Sequence, residues 1–140
     1  MTRPLFLLTL LTACPTPKSD DTADTAACAP SGDLVPAGVY GGTHYQLTVA
    51  ADGSAELLGD CSRATVAQAT VASGAVHWDL TWQSGYGLPV QDTASIEYID
   101  VTLDGTLCGS ALDATLTFPD ASTADIHVVL GADADLYYCD

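Results

Sequence analysis

Basic residues are scarce in this chain of 140 residues, which has three lysines and arginines against 18 aspartates and glutamates. Such a charge balance repels nucleic acids and anionic lipid headgroups, so we expect no nucleic-acid partner. Partners attracted by charge would be cations or basic proteins. A second interpretation is that the acidic residues simply keep the domain soluble.

The motifs of several enzyme and metal-binding classes are also missing. The sequence has no Gly-x-Ser-x-Gly, Ser-x-x-Lys or His-Glu-x-x-His motif and no Cys-x-x-Cys pair. His44, His77 and His127 fall in different parts of the predicted sheet, each beside an apolar residue of an alternating run. We therefore expect them on the solvent face, and we expect no catalytic residue, no metal and no cofactor.

The apolar run at the N-terminus, Leu5 to Leu11, is far shorter than the roughly 20 residues of a membrane-spanning helix. Arg3, this run and the small residues before Cys14 have the layout of an export signal. The segment Leu11-Thr12-Ala13-Cys14 resembles the lipobox of bacterial lipoproteins. The resemblance implies cleavage before Cys14, a diacylglyceryl group on Cys14 and anchorage in membrane lipid.

The lipobox divides the chain into three predicted parts: a signal peptide at 1–13, the lipidated Cys14 with an acidic linker at 14–27, and a domain at 28–140. The linker has no large apolar side chain, so we expect it to be disordered. Its aspartates lack the Asp-x-Asp-x-Asp-Gly order of a calcium loop. The predicted location is the cell envelope, in the outer membrane rather than the inner, with periplasmic or surface exposure left open.

The domain is predicted to be all-β, because its apolar residues recur with period two and turn residues separate the runs. About eight strands are expected, arranged as an antiparallel meander that forms a closed barrel, with calycin-like barrels as the nearest architecture, or a sandwich. The pattern Gly38-Val39-Tyr40-Gly41 with Asp60-Cys61 and Cys139 resembles a group of uncharacterised small bacterial β proteins. The predicted strands are 39–49, 55–60, 64–71, 75–82, 96–107, 111–118, 124–130 and 136–139.

Four cysteines remain once Cys14 is set aside, and an even number in an exported chain predicts two disulfides. Alternating strands place Cys61 and Cys139 at one end of the sheet and Cys108 at the other. This favours Cys61 with Cys139 and Cys28 with Cys108, and the competing pairing joins Cys28 to Cys61.

Three functional hypotheses follow. The favoured one is a noncatalytic envelope or protein-interaction module that contacts another envelope protein, its oligomeric state being open. The alternative is a barrel that carries a small apolar ligand, with Trp78, Trp82 and Tyr86 as ligand contacts and small inward residues (Ala55, Ala69, Gly105, Ala114) leaving a cavity or allowing tight packing. The less favoured third is a hydrolase, using carboxylates among Asp79, Glu97, Asp100 and Asp113, or a histidine close to a carboxylate.

Overall fold

The eight strands close into one antiparallel barrel, in which each strand pairs with the next and β8 pairs with β1. The structure is a computed structural model that describes residues 32–85 and 96–137. The all-β prediction is confirmed, and the architecture is a barrel rather than a sandwich. The strands are β1 (Gly38–Gly41), β2 (Tyr45–Val49), β3 (Ala55–Gly59), β4 (Ser62–Val66), β5 (Ala75–Ser84), β6 (Glu97–Cys108), β7 (Ala111–Thr117) and β8 (Thr123–Leu130).

Because successive strands alternate in direction, their connections gather at two ends of the barrel. The connections at 42–44, 60–61 and 118–122 lie at one end, here called the Asp60 end. Those at 50–54, 67–74 and 109–110 lie at the opposite end, here called the Gly53 end. Cys61 is therefore at the Asp60 end and Cys108 at the Gly53 end, which confirms that these two cysteines are at opposite ends.

The predicted single strand from Val39 to Val49 is wrong, because the chain turns at residues 42–44 and forms β1 and β2. His44 has a positive φ of 68°, which ends the extended backbone. Because of this turn, the residues of β1 that point inward differ from those predicted for a single strand. Tyr40 is fully buried and pairs with buried Leu47, whereas Val39 is 46% exposed.

Two further predicted strands end differently from the prediction. The strand expected to continue to Val71 stops at Val66, because residues 67–72 turn inward across the Gly53 end. The strand expected from residue 136 to 139 is not found over residues 136–137, and residues 138–140 lie outside the described residues.

The route of the C-terminal segment (residues 131–137) differs from the prediction too. The last strand, β8, ends at the Gly53 end, where the Gly131 N–H donates to the carbonyl of Val39. The chain then reverses and runs beside β1, so that Asp135 forms a parallel bridge with Thr43. The segment thus returns to the Asp60 end by following β1 rather than as a strand of its own.

Several inward positions of the barrel hold small residues, which pack against one another or against a large side chain. A Cβ on Gly105 would lie 2.5 Å from the Cβ of Ala114, and Ala64 pairs directly with Trp82. The small residues therefore permit close approach of the strands. The largest fully buried side chains are Tyr40, Leu47, Leu57, Leu103, Leu107, Leu112, Leu116 and Val128.

The Gly53 end is closed by two crossing segments. The Val35 N–H donates to the backbone carbonyl of Ala69, and the Val71 N–H donates to the backbone carbonyl of Asp33. The Ala69 N–H in turn donates to the carbonyl of Gly53, which joins these segments to the β2–β3 turn. Val35, Ala69 and Val71 are all buried, so this end of the core is covered by the protein's own side chains.

Candidate functional site

Two of the three predicted ligand contacts belong to the packed core. Trp78 and Trp82 are 4% and 6% exposed, and both point inward from β5. The Trp78 indole N–H donates a 2.9 Å hydrogen bond to the carbonyl of Thr70, which satisfies its one polar group. Tyr86 lies outside the described residues.

Each histidine is hydrogen-bonded to an aspartate, a pairing that the sequence did not indicate. The contacts are His44 Nδ1 to Asp60 Oδ2 at 2.5 Å, His77 Nδ1 to Asp104 Oδ1 at 2.6 Å and His127 Nδ1 to Asp113 Oδ1 at 2.5 Å. The last two pairs join directly opposite residues of neighbouring strands, which brings their side chains together on the outer face. The predicted solvent orientation of the histidines is therefore confirmed.

These histidine–aspartate pairs are exposed to solvent on the outer wall of the barrel. His77 and Asp104 are 64% and 61% exposed, and the side chains of the His127 pair are exposed to the same degree. The hydrogen bond and charge of Asp104 raise the pKa of His77, with a smaller effect from Asp79. In the part of the chain that the structure describes, no hydroxyl group is hydrogen-bonded to a histidine ring, and no cluster of three or more potential ligands is arranged to hold a metal ion.

The carboxylates considered for hydrolysis are outward-facing as well. Asp79, Glu97, Asp100 and Asp113 are exposed on β5, β6 and β7. Asp100 accepts a 3.3 Å hydrogen bond from the hydroxyl of Thr81, which lies opposite it on β5. Cross-strand pairing of aspartate with threonine or histidine is thus the common arrangement on this face of the barrel.

A small cluster at the Asp60 end joins the C-terminal segment to the barrel. The carboxylate of Asp60 accepts hydrogen bonds from His44 and from the backbone N–H of Tyr137. The rings of His44 and Tyr137 are in contact, with centroids 5.1 Å apart. Nearby, burial and the charges of Asp60 and Asp125 raise the pKa of Tyr45.

One opening in the barrel wall lies between β4 and β5. These strands pair at Ser62–Ala64 with Trp82–Ser84 and then separate. The chain between them returns to β5 only at the turn in which Ala72 bridges Ala75. The separation leaves an open groove with a cavity volume of ≈ 490 Å³. This β4–β5 groove is lined by Thr65, Val66, Ala67, Gln68 and Thr70 on one side and by His77, Trp78, Asp79 and Thr81 on the other.

The structure does not test the modification sites that the sequence predicts. Cys14, Cys28 and Cys139 are outside the described residues, so lipidation and both disulfide pairings stay predictions. Within residues 32–85 and 96–137, no helix has the length and apolar character needed to span a membrane.

Comparisons with protein families, curated proteins and solved structures find no match to this chain.

Proposed function

We propose that this protein is a lipid-anchored envelope module that binds another protein and performs no catalysis. The proposed anchor is acylated Cys14, with residues 14–27 as a disordered acidic linker between membrane and barrel. Two or more acyl chains give stable anchorage, since each buried methylene contributes about 0.8 kcal/mol. The favoured location is the outer membrane.

The observation that carries the binding proposal is the contrast between the inside and the outside of the barrel. Trp78 and Trp82 are buried among other core residues, so two of the three aromatic side chains considered for a ligand serve packing. The exposed wall instead carries the β4–β5 groove and a dense set of aspartates. A barrel whose inward side chains pack together and whose outer wall carries a groove and many charges is suited to contacts with another macromolecule.

Anchorage is tested by mass spectrometry of the protein purified from its native membrane. We expect Cys14 to carry diacylglyceryl and acyl groups and to be the first residue of the mature chain. In the C14A variant we expect an uncleaved chain that is poorly retained by the membrane. A normally processed and membrane-bound C14A protein would contradict the lipoprotein interpretation.

Partner binding is tested in the native cells with a photo-crosslinking residue placed at one exposed position per variant. Suitable positions on different faces are Val39, Gln68, Tyr98 and Asp113, all of which are exposed. A binding module gives a discrete protein adduct from at least one face, and the adduct is absent when the residue is placed at buried Leu103. Absence of adducts from all four exposed positions argues against a protein-binding role.

A further inference from the structure

One edge of β5 has no strand beside it in the middle of the barrel wall. On its other side, β5 pairs with β6 over its whole length, from Ala75 to Ser84. Toward β4 the pairing stops at Trp82, and β4 itself ends at Val66. Residues His77–Leu80 therefore form an open edge of β5, and this edge is one wall of the β4–β5 groove.

The register identifies the backbone groups on this open edge. The Leu107 N–H donates a 2.7 Å hydrogen bond to the carbonyl of Gly74, so Ala75 and Thr106 form a non-hydrogen-bonded pair. Antiparallel pairing then alternates, and Val76, Trp78 and Leu80 direct their N–H and C=O groups to β6. The N–H and C=O groups of His77 and Asp79 consequently face the groove, where the described residues supply them with no backbone partner.

The side chains around the groove define what kind of strand fits there. Trp78 and Val66, which are nearly buried, form its apolar floor. Asp79 lies on its rim, and two more carboxylates, Asp100 and Asp104, lie opposite Thr81 and His77 on β6. Arg63, the one lysine or arginine in the described residues, is held by Gln83 and Glu56. Carboxylates therefore outnumber cationic groups around the rim, where His77 is paired with Asp104, and none of the described residues that line the groove is a lysine or arginine.

We propose that the β4–β5 groove binds an extended segment of a basic partner protein, which adds a strand to the open edge of β5. The main chain of the segment would bond to the N–H and C=O groups of His77 and Asp79. Its apolar side chains would face Val66 and Trp78, and its alternate lysines or arginines would face Asp79 and the carboxylates of β6. This inference rests on the proposed protein-binding function and assigns to it a site and a partner chemistry.

The test uses the full-length lipoprotein in detergent and a capped eight-residue peptide of alternating lysine and valine. We expect binding at concentrations on the order of millimolar or below, with changes in NMR amide shifts centred on His77, Asp79 and Thr81. Methylation of the peptide's main-chain nitrogens at lysine alone or at valine alone keeps the charge but blocks opposite edges of the strand. One of the two methylated peptides should bind about tenfold more weakly than the other.

Two variants of equal charge provide the matched control. Asp79 and Asp113 are both exposed aspartates on the outer wall, but only Asp79 lines the groove. We expect D79N to weaken peptide binding about two- to fivefold and D113N to leave it close to wild type. A third variant, D79P, removes the N–H from the open edge and should abolish binding, with the spectrum of the barrel serving as the check on its fold.

Several results would overturn the inference. They are equal binding of the two methylated peptides, equal weakening by D79N and D113N, or no shift at the open edge at millimolar peptide. A dimer in sedimentation that D79P converts to monomer would assign the edge to a second copy of the chain instead. Crosslinked adducts from Val39, Tyr98 or Asp113 but not from Gln68 would preserve the proposed function and reject this site.

Discussion

The backbone N–H of Tyr137 donates a 2.7 Å hydrogen bond to the carboxylate of Asp60, although 77 residues separate the two along the chain. This contact fixes the end of the C-terminal segment beside the β3–β4 turn. Cys61 is the next residue after Asp60, and Cys139 is two residues beyond Tyr137. The contact therefore favours the predicted pairing of Cys61 with Cys139 over that of Cys28 with Cys61.

Substitution of either cysteine tests this pairing. We expect C61S and C139S each to lower the free energy of unfolding by about 3 to 4 kcal/mol, because the bridge would close a long loop in the unfolded chain. The double variant should be no less stable than the single ones, since both remove the same bond. Denaturant unfolding measures the loss, and a Cys28–Cys61 peptide in a non-reducing digest would contradict the pairing.

The turns at 50–54 and 118–122 share one hydrogen-bonding pattern but carry different residues at the position with left-handed backbone. In both, an aspartate carboxylate accepts bonds from the N–H and hydroxyl of the serine two residues later. The residue between them has a positive φ, which is 85° at Gly53 and 64° at Ala121. Glycine adopts this conformation without steric cost, whereas alanine does not.

We therefore expect A121G to raise the free energy of unfolding by up to about 1 kcal/mol and G53A to lower it by about 1 to 2 kcal/mol. The loss in G53A includes a contact, because the added Cβ would lie 3.1 Å from Cδ1 of Leu34. Urea unfolding of both variants checks the prediction. Destabilisation by A121G would show that the left-handed conformation of Ala121 carries no strain.

The pairing of His77 with Asp104 predicts a pH dependence with a definite sign. Because Asp104 raises the pKa of His77 in the folded protein, the pair stabilises the fold fully below the ordinary histidine pKa of about 6.5. That contribution is lost as the pH rises through the folded value. NMR titration of the His77 ring should show its pKa falling in D104N, and falling less in D79N, because Asp79 is the weaker influence. An equal fall in both variants would contradict this ordering.

Substitution of Gly105 tests whether the small inward residues allow close packing of the strands or leave a cavity inside the barrel. A Cβ there would lie 2.5 Å from both the Cβ of Ala114 and the carbonyl oxygen of Asp113. We expect G105A to lower the free energy of unfolding by about 1 to 3 kcal/mol, as overpacking of a core does. The double variant G105A/A114G should recover only part of the loss, because the Asp113 backbone stays in place. Unchanged thermal unfolding in G105A would indicate free space at this layer.

The strands that the sequence predicted correctly are those in which apolar and polar residues alternate without interruption. In β5, Val76, Trp78, Leu80 and Trp82 alternate with polar residues, and all four are buried as the period-two pattern indicates. The break between β1 and β2 was not predictable in this way. Residues 39–49 continue to alternate in sequence, and the left-handed backbone of His44 is not favoured strongly enough by histidine to be inferred.

The β4–β5 groove could not be predicted from the sequence for a similar reason. Residues 64–71 have the composition of a continuous strand, so the departure of β4 after Val66 has no local signal. It depends on tertiary contacts instead, in which the N–H groups of Ala69 and Val71 donate to the backbone carbonyls of Gly53 and Asp33. The histidine–aspartate pairs likewise depend on the cross-strand register, which alternation within a single strand does not determine.

The closure of the Gly53 end also sets how the barrel responds to mechanical load. The chain enters the barrel there, where Asp33 and Val35 are bonded to the segment that holds Val71 and Ala69. With the predicted Cys28–Cys108 bridge, a membrane tether at Cys14 would load Cys108 at the end of β6. In a C28S variant, which lacks that bridge, the tether would pull first on the bonds of Asp33 and Val35 and only afterwards on β1. The tether would join the barrel at the Gly53 end, so that the Asp60 end is the one farther from the point of attachment and the β4–β5 groove lies on the flank of the barrel.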